Sequence, residues 1–92
     1  DSIYHATRFE YLESIQLEGI KRGHRTHVHL AYSAESPVGK RAGVPILLEV
    51  SVKRLRESKR EVFISPNGVI LTRYVPPHCI VRVHDRRAET LK

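Results

Sequence analysis

The apolar residues of this sequence occur in short runs, and the longest run, residues 44–48, is interrupted by Pro45. A helix that crosses a membrane needs about 20 mainly apolar residues in succession, so the sequence predicts none. The chain has 92 residues, of which 40% are hydrophobic and 28% are charged, as is typical of a small globular domain. These features predict one domain of short elements and exclude a multidomain enzyme.

Most of the short runs have the composition or the alternation of apolar and polar residues that is typical of strands. Strands are predicted at residues 2–5, 27–30, 46–52, 62–64, 69–71 and 78–84, with 46–52 in the middle of the sheet. Residues 65–68 are predicted to form a hairpin loop in which Asn67 and Gly68 supply positive φ. Helices are predicted from a capping box at Thr7 and Glu10 to a left-handed cap at Gly19, over 36–43, and as a brief turn at 53–58.

The expected fold class is therefore α+β, with a mainly antiparallel sheet and two or three short helices. The same patterns predict the residues of the core, which are Ile3, Leu12, Ile15, Val28, Leu30, Ile46, Leu48, Val50, Phe63, Ile70 and Val81.

The chain is basic, with 16 Lys and Arg against 10 Asp and Glu, a formal net charge of +6, and six His besides. Arg side chains form the larger share of the positive charge, and their planar donors match phosphate oxygens. The charge balance favours an anionic, phosphate-bearing partner, with a basic surface that has no specific ligand as the alternative.

Cys79 is the single cysteine, so the chain cannot form an internal disulfide or a zinc site built from cysteines. This favours a reducing compartment, and we expect a cytoplasmic location with no membrane partner. The sequence starts at Asp1 and contains no methionine, so we expect it to be processed or to be part of a longer protein.

Histidines are the most suggestive polar residues of the sequence. His27 and His29 alternate with apolar residues on one predicted strand, so both imidazoles are expected on the same face. Arg25 precedes them, and His5 lies on another predicted strand. Three interpretations remain open: a metal site, a solvated pair without a function, and a ligand cleft in which the imidazoles bind ribose, amide or phosphate groups.

The strand-to-helix junction around Thr7 would suit a nucleotide, because the first amides of a helix are unsatisfied. Thr7 is equally well explained as a helix cap, and the sequence has no glycine-rich phosphate loop. Arg41 is either a solvent-facing helix residue or a guanidinium that stabilises a phosphate during transfer.

Four segments, taken in order, resemble the RNA 2′-phosphotransferase family. They are His5-Ala6-Thr7, Glu18-Gly19-Ile20, residues 25–30 (Arg-Thr-His-Val-His-Leu) and residues 65–71 (Ser-Pro-Asn-Gly-Val-Ile-Leu). The resemblance extends from about Ile3 to Val83, nearly the whole chain.

The resemblance implies an enzyme of two lobes, of which residues 1–85 match the ADP-ribosyltransferase-like lobe that binds NAD⁺, with 86–92 as a charged tail. The N-terminal winged-helix lobe that meets the RNA is not matched by any segment. The implied reaction removes the internal 2′-phosphate of a spliced tRNA by transfer to ADP-ribose, giving ADP-ribose 1″,2″-cyclic phosphate and nicotinamide. The chain alone is then expected to bind NAD⁺ but not to complete the reaction.

The resemblance also assigns site residues. It implies that Arg41 is catalytic, that Arg25 and Lys40 bind phosphate or RNA, and that the NAD⁺ site is lined by His5, Ala6, Thr7, His27, His29, Asn67, Gly68 and Val69. Ala6 stands where the family more often has Gly; an extra methyl group there could crowd the pocket, but we expect it to be tolerated. Val69 stands where many ADP-ribosyltransferases have a catalytic Glu, in agreement with a phosphate nucleophile that needs no such base.

Two rival functions remain. One is an ADP-ribosyltransferase that modifies another acceptor, such as the terminal phosphate of a nucleic acid. The other is a basic RNA-binding module without enzymatic activity, which the small number of aromatic residues, four Tyr and two Phe, disfavours.

Overall fold

The computed structural model describes residues 2–33 and 45–85, and it confirms an α+β fold with mostly antiparallel strands and short helices. The strands are β1 (Ser2–Thr7), β2 (Ile20–Lys21), β3 (Val28–Leu30), β4 (Ile46–Ser51), β5 (Phe63–Ile64), β6 (Ile70–Thr72), β7 (Tyr74–Val75) and β8 (Ile80–Asp85). The helices are α1 (Leu12–Glu18) and α2 (Val52–Glu57), with 3₁₀ turns at Phe9–Tyr11 and Pro77–Cys79. No helix of the described residues is long and apolar enough to cross a membrane.

Strand β4 occupies the centre of one sheet, as its sequence predicts. It pairs in antiparallel fashion with β1 on one side and β8 on the other. A second sheet has the order β3-β6-β5, and β2 pairs with β7 in a third. An antiparallel bridge joins the first two sheets, because Tyr4 N–H donates to the Ala31 carbonyl at 2.8 Å and Ala31 N–H donates to the Tyr4 carbonyl at 2.7 Å. Strand β3, which carries His29, therefore lies beside β1, which carries His5.

The core lies on the face of the β1-β4-β8 sheet that is covered by the helices. Ile3 of β1 pairs with Val50 of β4, and both are buried beside Ile15 of α1 and Leu55 of α2. The alternation of β1 places His5 on the same face as Ile3. The core packing thus fixes the direction of a polar side chain that belongs to the candidate site.

Two predicted core residues are wrong. Phe63 is 43% exposed on the edge strand β5, and Val81 is 40% exposed at a register shift between β4 and β8, where it has no partner on β4. Leu12 only packs against the core from its margin. The core instead includes residues that the patterns did not select, namely Ile20, Leu55, Val75 and Cys79.

The capping box predicted at Thr7 is also wrong. Thr7 ends β1, where it is buried and pairs with Ile46. The chain turns through the first 3₁₀ turn before α1 begins, and neither Arg8 nor Tyr11, the residues that precede the two elements, caps them with its side chain. Thr7 is therefore part of the sheet through its pairing with β4, although its local sequence predicted a helix cap.

Other boundaries differ by a few residues. His27 precedes β3, and the last strand begins at Ile80 because residues from Pro77 form a 3₁₀ turn. Gly19 ends α1 with a φ of 84°, but its ψ of −178° is extended rather than helical. The turn predicted at 53–58 is α2, while the helix predicted over 36–43 lies outside the described residues.

Candidate functional site

A cleft lies between β1, α1 and β2. His5 and Thr7 line it because they alternate on one face of β1, the face that α1 covers. The cleft has a volume of about 240 Å³, and its lining residues are His5, Thr7, Tyr11, Ser14, Ile15, Glu18, Gly19, Ile20 and Lys21. Two of the residues predicted to bind a cofactor are therefore brought to one concave surface.

His5 is fixed by a hydrogen bond to the neighbouring strand. Its Nδ1 atom lies 2.9 Å from the main-chain carbonyl oxygen of His29. A carbonyl oxygen only accepts, so Nδ1 of His5 carries a proton and Nε2 is the second polar atom of this ring. This contact depends on the bridge between β1 and β3.

His29 is held in the opposite tautomer. A guanidinium nitrogen of Arg25 lies 3.0 Å from Nδ1 of His29, and a guanidinium only donates, so this Nδ1 accepts. The ring proton of neutral His29 is then on Nε2. Burial of the ring lowers the pKa of His29 below its usual value of 6.5, and the charges of Arg25 and His27 lower that pKa further. His29 is therefore a neutral donor near pH 7.

His27 lies on the same side of the sheet as His29. Its ring packs edge-on against Phe63 at a centroid distance of 5.8 Å, and its Nδ1 atom lies 3.0 Å from the Thr26 hydroxyl. Strand register agrees with this placement, since His29 pairs with Leu71 and Leu71 pairs with Phe63. The expectation that both imidazoles share a face is confirmed, and the exposed Phe63 lies beside one of them.

The hairpin turn between β5 and β6 is built around Ser65. Gly68 N–H donates to the Ser65 carbonyl at 2.9 Å, Val69 N–H donates to the Ser65 hydroxyl at 3.1 Å, and that hydroxyl donates to the Asn67 side chain. Gly68 has a φ of 87°, whereas Asn67 does not have positive φ, so the prediction is correct only for the glycine. Ile70 pairs with Leu30, which places the turn beyond the end of β3 that bridges to β1.

Of the predicted site residues within 2–33 and 45–85, only His5 and Thr7 line the cleft. The other described ones, which lie outside its lining, are Ala6, Arg25, His27, His29, Asn67, Gly68 and Val69. Ala6 lies on the other face of β1, where it pairs with Leu47, so its methyl group points away from the cleft. Lys40 and Arg41 lie outside the described residues. Within residues 2–33 and 45–85, no three His, Cys, Asp or Glu side chains are grouped as a metal site requires.

Several lining residues were missed from the sequence. Tyr11, Ser14 and Glu18 face the cleft, and their spacing of three and then four residues is that of one helical face. Glu18 accepts a hydrogen bond from the Lys21 ammonium group at 2.8 Å, which lowers the pKa of the carboxyl group. The helical spacing was visible, but without knowing that β1 lies opposite α1 it indicated only packing.

Comparison with known proteins identifies the family. A model of the family described as "RNA 2'-phosphotransferase, Tpt1 / KptA family" matches residues 1–74. The chain is similar to a "Probable RNA 2'-phosphotransferase" of Burkholderia lata, with 41% identity over 78 residues that cover 83% of this chain and 40% of that protein. Proteins with the same description from Pseudomonas syringae pv. tomato and Flavobacterium johnsoniae are 39% and 41% identical, over 90% and 85% of this chain and 46% and 44% of theirs.

The chain spans less than half the length of these three relatives. The family match nevertheless covers both strands that carry the histidines, the cleft and the hairpin turn. The chain belongs to the RNA 2′-phosphotransferase family.

Proposed function

We propose that this chain is the NAD⁺-binding half of an NAD⁺-dependent RNA 2′-phosphotransferase, which removes the splice-junction 2′-phosphate from tRNA in the cytoplasm. Its products would be ADP-ribose 1″,2″-cyclic phosphate, nicotinamide and RNA with a free 2′-hydroxyl. The observation that carries the proposal is the polar cleft lined by His5 and Thr7, in which His5 is hydrogen-bonded to the main chain of the strand that carries His29, in a chain of this family.

The cleft suits part of a dinucleotide. Pockets for small ligands commonly have volumes of about 300–1,000 Å³. At about 240 Å³ the cleft lies just below that range, which fits one nucleoside portion of NAD⁺ rather than the whole dinucleotide. Polar groups on its rim and walls include the Thr7, Tyr11 and Ser14 hydroxyls, which can bind ribose or amide groups. When bound, NAD⁺ would supply the ADP-ribosyl group that takes up the phosphate, with nicotinamide as the leaving group.

The histidine cluster offers donors of fixed direction. Neutral His29 presents Nε2–H, and no group of the described residues hydrogen-bonds to that atom. Arg25 holds the ring from its other side and adds a positive charge. We assign these groups to binding and orienting the phosphate or ribose oxygens of NAD⁺, with His27 and the turn at Asn67, Gly68 and Val69 as further borders of the site.

The chemistry of phosphate transfer requires positive charge rather than a protein nucleophile. Arg41 is proposed to stabilise the charge of the transferred phosphate, with Lys40 and Arg25 binding phosphate or RNA. Val69 is half-buried and cannot take a proton, which agrees with a reaction in which the RNA phosphate itself attacks. The remaining donors to the RNA would come from an N-terminal winged-helix lobe of the same protein.

A calorimetric titration tests whether these residues bind NAD⁺. NAD⁺ is added to the protein as it is encoded, and the heat of binding is measured. We expect saturable binding that His29→Gln weakens about tenfold or more, because loss of one hydrogen bond to a charged ligand costs about 1.5–3 kcal/mol. His24→Gln is the matched control, since His24 lies exposed in the loop before the cluster. Equal affinity of both variants and the unchanged protein would remove His29 from the site.

A further inference from the structure

We propose that helix α2 and the turn that ends it form a second RNA contact, which binds the phosphate backbone away from the histidine cleft. We name this the α2 surface and define it by Lys53, Arg56 and Lys59. The inference rests on the proposed function, because it assigns a contact to the same RNA substrate.

Positive charge is concentrated in α2 and the turn that ends it. Residues 53–60 contain five cations, which are Lys53, Arg54, Arg56, Lys59 and Arg60, and one anion, Glu57, a net of +4 in eight residues. The whole chain has a net charge of +6, so most of its excess is in this one segment. Clustering of this kind is the electrostatic footprint of nucleic-acid binding.

The cations of the surface are accessible. Lys53, Arg56 and Lys59 are exposed, and among residues 2–33 and 45–85 no carboxylate forms an ion pair with any of them. Lys53 and Arg56 line an open groove of about 350 Å³ together with Val52 and Glu57. Residues three apart on a helix have Cβ atoms about 5–6 Å apart, so the two cations can reach neighbouring phosphates of one strand.

The other two cations of the segment have structural roles. Arg54 donates from its guanidinium to the His78 carbonyl at 2.8 Å, which joins α2 to the second 3₁₀ turn. Arg60 stacks on Tyr74 with its central carbon 5.0 Å from the ring centroid. We therefore leave both outside the surface that binds RNA.

Lys59 carries an independent sign of function. Arg60 N–H donates to the Leu55 carbonyl at 3.0 Å and Lys59 N–H donates to the Arg56 carbonyl at 2.9 Å, the two bonds of a Schellman motif. The residue at the position of Lys59 is left-handed, here with a φ of 61°, and is most often glycine. The side chain at this position costs stability and is a cation, which agrees with a use for its charge.

The apolar residues of α2 argue for RNA and against a membrane surface. Leu55 is fully buried, and Val52 packs against the core. A helix that lies in a membrane interface needs an apolar face to insert, whereas the exposed residues of α2 are all charged and Val52 is only partly accessible. Binding to the phosphate backbone of RNA requires positive charge and no apolar face.

The position of the surface suits a contact beyond the reacting nucleotide. His5 pairs with Leu48, and α2 begins after Ser51, three residues further along β4. Three residues of a strand span about 10 Å, so RNA that extends from the cleft can reach α2. The surface would thus increase affinity for long RNA without affecting the chemistry.

Fluorescence anisotropy with a labelled RNA stem–loop, titrated at several salt concentrations, tests the proposal on the protein as it is encoded. In the variant Lys53→Gln/Arg56→Gln/Lys59→Gln we expect affinity to fall about tenfold or more at 0.1 M salt, and the slope of log affinity against log salt to decrease by about 2 to 3. The matched control is Arg86→Gln/Arg87→Gln/Lys92→Gln, which removes the same charge from the C-terminal residues. Asp85, just before them, pairs with Ile46 at the end of β4 opposite to α2.

Equal loss in both triple variants would overturn the proposal, because net charge alone would then explain the binding. Unchanged RNA affinity in the α2 variant would overturn the proposal too. So would a variant that loses binding to phosphatidylserine vesicles while its affinity for RNA stays the same. Kinetic measurements separate this failure from a failure of the proposed function. We expect the α2 variant to have a higher KM for a long 2′-phosphorylated RNA. Its kcat/KM for a 2′-phosphorylated dinucleotide should be unchanged. The binding assay still tests the surface if the protein removes no 2′-phosphate.

Discussion

At the residue scale, the protonation of His29 is set by its neighbours. Arg25 donates to Nδ1, and the buried position disfavours a charged ring. The folded protein thus holds His29 neutral, while the unfolded chain titrates at the usual value of 6.5. Because the unfolded chain then binds more protons, His29 contributes stability that is complete above pH 6.5 and decreases as the pH falls below that value.

An NMR titration of the imidazole resonances measures this directly. We expect the pKa of His29 to lie below 6.5, and Arg25→Gln to raise it only part of the way, because burial is the larger cause. Arg56→Gln removes an equal charge from α2 and should leave that pKa unchanged. If the pKa of His29 were the same in Arg25→Gln as in the unchanged protein, the contact between the two side chains would be contradicted.

The sequence predicted the orientation of these histidines but not their connection. Alternation with Val28 and Leu30 was enough to place His27 and His29 on one face, since both apolar residues are buried. The hydrogen bond from His5 to the His29 carbonyl depends on a bridge between Tyr4 and Ala31, which are 27 residues apart in the chain. No local pattern encodes that pairing, so the site could be assigned before the structure only by resemblance.

At the element scale, two turns depend on glycine for different reasons. Gly19 ends α1 and leads into β2, with a φ of 84°, and a Cβ atom there would lie 2.2 Å from the Val75 carbonyl oxygen. Gly68 has a φ of 87°, but a Cβ atom there would have no neighbour within 4 Å. Both positions disfavour side chains through their backbone, and only Gly19 also has no space for one.

Gly19→Ala and Gly68→Ala form a matched pair that separates strain from overlap. We expect Gly68→Ala to lower the free energy of unfolding by about 1–2 kcal/mol, the cost of a left-handed non-glycine residue. Gly19→Ala should cost at least about 1–3 kcal/mol more, because β2 and β7 must separate. Urea denaturation measures the free energy of unfolding of both variants. An equal decrease in the two would show that β7 moves away from the added Cβ atom without a loss of stability.

Substitution of Lys59 by glycine is expected to stabilise the protein, in contrast to the two glycine substitutions. Its left-handed backbone at the end of α2 is the conformation that glycine adopts without steric cost. We expect Lys59→Gly to increase the free energy of unfolding by about 1 kcal/mol and the midpoint of thermal unfolding by roughly 4–8 °C. Lys59→Ala, which removes the charge but keeps a Cβ atom, is the control and should leave stability nearly unchanged. If the glycine variant were less stable, the strain argument for Lys59 would fail.

The errors in the predicted core arise where the alternation of apolar and polar residues does not decide burial. Alternation placed Phe63 and Val81 correctly in strands, but Phe63 lies on the edge strand β5 and Val81 lies at the register shift between β4 and β8, and both stay partly exposed. Conversely, Leu55 and Cys79 lie in a short helix and a 3₁₀ turn, where no periodicity extends far enough to reveal the buried side. Propensity predicted the type of element well, and tertiary packing decided which residues it buries.

At the scale of the whole molecule, the fold joins two sheets so that a helix-covered cleft and a histidine-bearing strand become neighbours. The chain spans 40% to 46% of the length of three relatives that it matches. The family was predicted from four short segments, and the comparisons confirm it. NAD⁺ dependence and the RNA substrate remain the central claims of the proposed function.

One measurement tests these claims most directly. An RNA stem–loop with a single internal 2′-phosphate is incubated with the protein as it is encoded, with and without NAD⁺, and the products are weighed by mass spectrometry. The account predicts loss of one phosphate from the RNA together with release of nicotinamide, only when NAD⁺ is present, and strongly reduced turnover in Arg41→Lys. RNA that keeps its phosphate while it gains an ADP-ribosyl group, or phosphate loss that does not need NAD⁺, would contradict the account.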